Sequence, residues 1–501
     1  MAYQSFPYLG FGRGLNLRDK PDAVDPQECI DCLNVDFSER GAIQTRAGYG
    51  KIVSSTITGL GAFKNTAGTK RLLTTVGTNL AAYNLTGGSA THTSALTDST
   101  TPMSFVAYGT PASERVYAGN GTDVRYYDGS GFTNPNASSV VVPKASALCL
   151  QATDNRLVAT GFTAGANGPA GATVNPSHVY FSDPGDPGTW GANNYVQLTP
   201  GDGEKIVAAV TWRELVFVFK QTKFFVFYGN SVDADGNPIF NYRPVEGGVG
   251  AASRLGIATT PDGVYFVGSD GIYVTTGSNA TKVSDLVEPL WTGGAADYFS
   301  GGVISNVAAC NLTATEDRVY MAFPTTIGQR VLVFDRGQAW FSLYNLPAKY
   351  LLNFDGAIWF GDTFLGKHSN AYTTDDGAAI FARWRSGWDD FGSPDIKVLR
   401  ASKGWGTGLI NASISKDFAQ GQATTDAMDF GTAKANQPQW NTSTWGGTTW
   451  AQNSDILEPE QRRSSVRGTT FSTTFSGTGR WAIHRMTHQI RQVRQPGIEE
   501  S

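Results

Sequence analysis

The stretch DGVYFVGSDGIYVTTGS, residues 262–278, reads as two short strands around a tight turn. Val264 and Phe266, then Ile272 and Val274, alternate with Tyr265, Val267, Tyr273 and Thr275, which is the two-residue period of a pleated strand. Ser269-Asp270-Gly271 between them is turn chemistry, because Gly accepts positive φ and Asp hydrogen-bonds its own backbone. A lone hairpin is marginal in water, so this one must belong to a larger assembly of strands.

The pattern recurs along the chain. It is visible in RLLTTVGTNLAAYN (71–84), ERVYAGNGTDVRYYDGSGF (114–132) and RELVFVFKQTKFFVFYGN (213–230). It returns in DRVYMAFPTTIGQRVLVFDRGQAWFSLY (317–344) and YLLNFDGAIWFGDTFLGKHSNAY (350–372). NRLVATG (155–161) and SHVYFSDPGDPGTW (177–190) form a further copy, split by a Gly/Ala-rich insertion. Each copy is a polar pair, an apolar and aromatic strand, a Gly or Asn turn and a second aromatic strand. The copies start roughly 40 to 60 residues apart, the range of β-propeller blades. A solenoid is the competing repeat, but it favours a stricter period and shorter units. The expected fold is all-β, with a six- or seven-bladed β-propeller over residues 56–374, in which the first and last copies can combine into one closed blade.

Residues outside the repeats predict a second, sandwich-like β-domain, a platform formed by residues 375–494 with an N-terminal arm, residues 1–55. In the arm, Asp25-Pro26 predicts a short helix ending near Leu33, because Asp is an N-cap and Pro suits the first helical position. Residues 34–37 and 42–46 read as strands around a turn. Strands are expected at 381–388, 396–401, 409–415, 469–475 and 481–493. Residues 417–455 read as a long polar excursion, and 495–501 as a tail.

Composition agrees with short strands and tight turns. Gly numbers 59 and charged residues make up 16%, against about 25% in an average soluble protein, which is poor material for long helices. A net charge of −4 argues against a surface that coats nucleic acid generally. No apolar run approaches the ~20 residues of a membrane helix. The opening MAYQSFPYLGFGRG lacks the features of a signal peptide, which predicts maturation in a cytoplasm.

The motifs that could carry chemistry are weak. Cys29-x-x-Cys32 would suit zinc or redox chemistry, or simply two small residues one helical turn apart. SDPGDPGTW (182–190) resembles the Asp-box of sialidase blades, with altered spacing, so a carbohydrate-active propeller is one function class. The alternative is a turn-rich blade edge closed by Trp190. Asp233-x-Asp235-Gly236-Asn237 has the start of a calcium loop without its downstream Glu, and reads better as a hairpin loop. The five histidines have no catalytic company. No cofactor is expected. The C-terminal run Arg462, Arg463, Arg467, Arg480, Arg485, Arg491 and Arg494 fits a nucleic-acid groove, or solvated strand faces and subunit-interface ion pairs; the net acidic chain favours the latter.

GLNLRD (14–19), NVDF (34–37) and GAIQTR (41–46) resemble the start of tailed-phage nozzle proteins, the tail tubular protein B family and related DNA-stabilisation proteins. VYFSDPGDP (179–187) with Trp190, GVYF (263–266) and GIY (271–273) are similar to their blades, and Arg467-Gly468 with Phe471 and Phe475 to their closing β-domain. The resemblance implies a virion tail component and not an enzyme. It implies a homohexameric ring below the portal and adaptor, whose channel passes double-stranded genomic DNA and supports its retention and ejection. Related patterns occur in minor tail proteins of long-tailed phages, which would place the chain at a tail tip facing the host surface. On the nozzle reading, Arg13, Arg18, Arg40, Arg46, Arg462, Arg463 and Arg467 are the candidate interface residues. The arm and the C-terminal domain should pack together, away from the propeller, with residues 42–46 pairing with a strand such as 471–475.

Overall fold

Seven four-stranded antiparallel sheets follow one another along the chain, and each is one blade of a β-propeller. The computed structural model describes residues 3–493 except 9, 39–40, 111–112, 138–140, 166–167, 170–171, 233–237, 246, 295–298, 419–423 and 430–457. The opening hairpin supplies the two middle strands of blade 5, Gly263–Val267 and Ile272–Thr275, with Val264 opposite Thr275 and Val267 opposite Ile272. Every residue of Gly263–Val267 is buried, because neighbouring blades cover both faces of the sheet. The repeat in the sequence is therefore the signal of the middle strands. The innermost strand, Ile257–Thr260, and the outermost, Ala280–Lys282, are more polar.

The ring closes. Each innermost strand packs beside the next, and the last of them, Tyr350–Phe354, packs beside the first, Ile57–Lys64. Polar side chains tie neighbours together: Leu351 N donates to Asn311 Oδ1 at 2.9 Å and Asn353 N to Thr313 Oγ1 at 3.0 Å. Blade 7 takes three strands from residues 350–368 and its outermost from Tyr49–Val53. The blade count is seven, and the chain's two ends do meet in one blade. The propeller therefore begins at Tyr49, inside the segment expected to belong to the arm.

The platform is two six-stranded sheets, each containing strands from both chain ends. One runs Glu458–Gly468, Lys397–Thr407, Ala482–Gln492, Ile43–Thr45, Val35–Phe37, with Gln4–Tyr8 also beside Ala482–Gln492. The other runs Gly14–Leu15, Glu28–Leu33, Phe381–Ser386, Phe471–Thr478, Leu409–Lys416, Thr424–Asp429. Phe11, Trp384 and Phe475 form a ring cluster in its core, with Trp384 stacked on Phe475 at 5.5 Å.

Three expectations are corrected, and one strand is added. Glu28–Leu33 is a strand and not a helix: Asp25 caps only a turn, accepting from Gln27 N and through its carbonyl from Glu28 N, both at 2.8 Å. Pairing with Phe381–Ser386 then overrides the local signal. A bulge at Ile30 puts Cys29 and Cys32 on the same side, which a regular strand would not do. Ile43–Thr45 pairs with Val35–Phe37 and Ala482–Ile483, whereas Phe471–Thr478 lies in the other sheet with both edges already occupied. Glu458–Gly468 is a strand that its charged sequence concealed.

Finally, the platform does not stand away from the propeller. Val35, Phe37, Cys29 and Cys32 share one core with Trp340, Phe341 and Leu343 of blade 6. Gly14, at φ +76°, lies so close to this blade that a Cβ would sit 2.7 Å from Phe341 N, so no other residue fits there. Asn34, at φ 57°, joins three parts of the chain: its N–H donates to Leu343 O at 2.7 Å, its Nδ2 donates to Phe381 O at 2.8 Å, and its Oδ1 accepts from Arg46.

Candidate interaction face of the platform

The propeller axis is the place where a ligand pocket would be sought first. Arg254, just before the innermost strand of blade 5, reaches across it. Its guanidinium donates to Ser146 O at 2.9 Å and to Pro102 O, both just before the innermost strands of blades 3 and 2. That mouth of the axis is spanned by a side chain held by backbone carbonyls.

The Asp-box-like carboxylates are engaged in their own turn. Asp186 accepts from Gly188 N at 2.8 Å and Thr189 Oγ1 at 2.7 Å, while Asp183 accepts from Asn194 Nδ2 at 2.9 Å. Trp190 Nε1 closes the turn on Pro187 O at 2.9 Å. This is the blade-edge geometry. Residues 233–237, the calcium-loop candidate, lie outside the described residues, between two paired strands of blade 4. All four cysteines are buried; burial pushes the Cys29 thiol well up, and Cys149 and Cys310 to about 12, which disfavours reactive thiolates. Cys29 Sγ donates to Gly14 O at 3.3 Å. His488, set against Ser402 Oγ at 2.8 Å and Thr473 Oγ1 at 3.1 Å, is locked in the platform core. Among the described residues no three His, Cys, Asp or Glu side chains are grouped to hold a metal. Among the described residues no helix is long and apolar enough to cross a membrane.

The seven candidate arginines do not gather into one site. Arg13 and Arg18 are exposed on the arm, Arg13 paired with Asp25 at 3.0 Å. Arg40 lies outside the described residues. Arg46 is fully buried and bonded to Asp375, Asn34 and Ala47 O, so it cannot touch a neighbouring subunit; its interface assignment is corrected, because the pairing strands close over it. Arg462 lies in the strand Glu458–Gly468 opposite Ser402. Arg463 and Arg467 are exposed on that strand.

These last two belong to a larger face. Register places Arg467, Val398 and Arg491 in one rung across three strands, and Arg463, Ala401 and Gln489 in the next. Gln461, Lys403 and Thr487 form a third rung, and Trp405 and Arg485 pair in a fourth. Two rings stand among the cations. Trp405 lies under Lys403 and Arg485, each 5.1 Å from its centroid. Tyr3 lies under Arg400 at 4.9 Å and Arg491 at 5.9 Å, and its OH is 2.5 Å from Arg400 Nη1. Among the described residues none of Arg400, Lys403, Arg463, Arg467, Arg485 and Arg491 has a carboxylate within ion-pair distance. Two arginines inside the fold do: Arg318 with Asp36 and Arg383 with Asp31. Arg400, Lys403, Trp405 and Tyr3 were missed from sequence; the two-residue spacing of Lys403 and Trp405 was the available signal, whereas Arg400 joins their face only through a bulge between Leu399 and Ala401.

No protein-family model matches the chain, and no curated protein matches it. Among solved structures it is similar to virginiamycin B lyase from Staphylococcus aureus bound to quinupristin, with 10% identity and a TM-score of 0.42 over 64% of this chain and 98% of that one. It is also similar to the extracellular domain of a one-component system from B. thetaiotaomicron, with 10% identity and a TM-score of 0.36 over 66% of this chain and 41% of that one. Likenesses at these scores carry no functional weight, and the blade count stands on the hydrogen-bonded sheets themselves. Fold and surface together define an all-β protein of a seven-bladed propeller joined to a two-sheet platform.

Proposed function

We propose that this chain is a structural subunit of a tailed-phage virion, of the nozzle type. As a homohexamer it builds a ring below the portal and adaptor that forms the DNA exit channel and supports genome retention and ejection. One observation carries the reading: both chain ends are woven into a single platform that is distinct in sheet topology from the propeller, the layout the resemblance implies. A propeller satisfies its own sheet edges, so the platform is the part left to build symmetric contacts. The reading that this is no enzyme draws support from Arg254 spanning the axis and from Asp183 and Asp186 serving their own turn. The test is electron microscopy of the purified chain and of virions labelled at its C-terminus. Six-fold rings and label below the portal are expected; label at the distal tip of a long tail would overturn the nozzle reading in favour of a tip protein.

A further inference from the structure

We infer that the outer face of the platform sheet formed by Glu458–Gly468, Lys397–Thr407 and Ala482–Gln492 binds the phosphate backbone of nucleic acid without reading its sequence. Six cations from three adjacent strands share this face, and their outward positions recur every ~7 Å along a strand and ~4.8 Å between strands. Elsewhere in the chain, of net charge −4, several arginines pair with carboxylates, Arg46 with Asp375, Arg318 with Asp36 and Arg383 with Asp31. Here the charge is uncompensated among the described residues, so the field is local and strong.

The rings explain how the cations stay ordered. Trp405 and Tyr3 each hold two cations over their faces, which fixes long side chains that would otherwise lose entropy on binding. Covered rings cannot stack on bases, so contacts go to phosphate oxygens, with arginine forks as donors. Gln461, Thr487 and Gln489, at outward positions between the cations, add neutral hydrogen-bonding groups. An acidic protein partner is the other candidate. Protein interfaces centre on an apolar, charge-depleted core, and this face is the reverse, with half-buried Val398 its one aliphatic side chain of size among the described residues. An isolated copy of the chain presents the face, so failure here and failure of the ring reading are separate results.

The test is fluorescence anisotropy of the full chain with two labelled DNA duplexes of unrelated sequence, across salt. Equal affinity for both is expected, with log K falling against log salt at a slope of about −5 if six phosphates are contacted. R463E/R467E should weaken binding at least ~10-fold and reduce the slope by about 2, while K64E/K205E, with the same charge change on the propeller, should leave it within ~2-fold. Circular dichroism checks that both variants fold. Binding unchanged in R463E/R467E, equal loss in both variants, or preference for polyglutamate over the duplexes would overturn the inference.

Discussion

Arg46 and Asp375, 329 residues apart, form a two-pronged ion pair, with Nη1 to Oδ1 at 2.9 Å and Nη2 to Oδ2 at 2.7 Å. The arginine is fully buried, and Asp375 sits where the chain leaves the last blade. The pair ties the arm to the seam between propeller and platform. Removing one partner of a buried pair strands the other charge, so Arg46→Ala should cost about 3 kcal/mol, the lower end for such pairs because Asp375 keeps some solvent contact. Urea denaturation measures this; a loss below about 1 kcal/mol would show that the pair is not a clasp.

Deleting residues 1–54 should do more than remove an arm. It takes Tyr49–Val53 from blade 7 and uncovers Trp340, Phe341 and Leu343 of blade 6. The truncated chain should aggregate or melt well below the full one, whereas a cut at residue 48, which leaves the closing strand, should be milder. Equal thermal midpoints for the two truncations would show that the closing strand is dispensable.

Stability should fall on acidification through His488. Burial holds its imidazole at about 4, and that of His368 at about 3. An unfolded histidine titrates near 6.5, so between that pH and the folded value only the unfolded chain takes up the proton. The contribution is complete above about pH 6.5 and is lost as pH falls, at up to about 1.4 kcal/mol per pH unit for each histidine. Buried Asp31 and half-buried Asp389, whose carboxyls desolvation pushes up, act in the opposite sense. The share of His488 is therefore read from His488→Gln, which should flatten the change in urea midpoint between about pH 7 and about pH 4.5. An unchanged slope in the variant would remove the histidine from the account of acid sensitivity.

Asp186→Asn should lower stability by about 1 kcal/mol, through weaker acceptance from Gly188 N and Thr189 Oγ1. It should alter no turnover, because both carboxylate oxygens are engaged in the turn. Glycan cleavage by the parent protein that this substitution abolishes would restore the carbohydrate-active reading.

Legibility followed the source of the signal. The sequence by itself determined the blades, because the middle strands are buried on both faces and print runs such as VYFV and LVFVF at each repeat. It also determined that the chain ends could share a blade and that a second β-domain follows. Local chemistry could not determine what non-local pairing decides. The Asp25-Pro26 signal is real at a range of a few residues, yet Glu28–Leu33 became a strand because Phe381–Ser386, some 350 residues on, offered its edge. Arg46 and Arg463 look alike in sequence; only the closing of strands around one and the open sheet face under the other separate a structural clasp from an exposed cation. The platform's basic face likewise exists only in register, because it draws single residues from three strands that the chain visits far apart, and tertiary hydrogen bonding sets which of their side chains share a side.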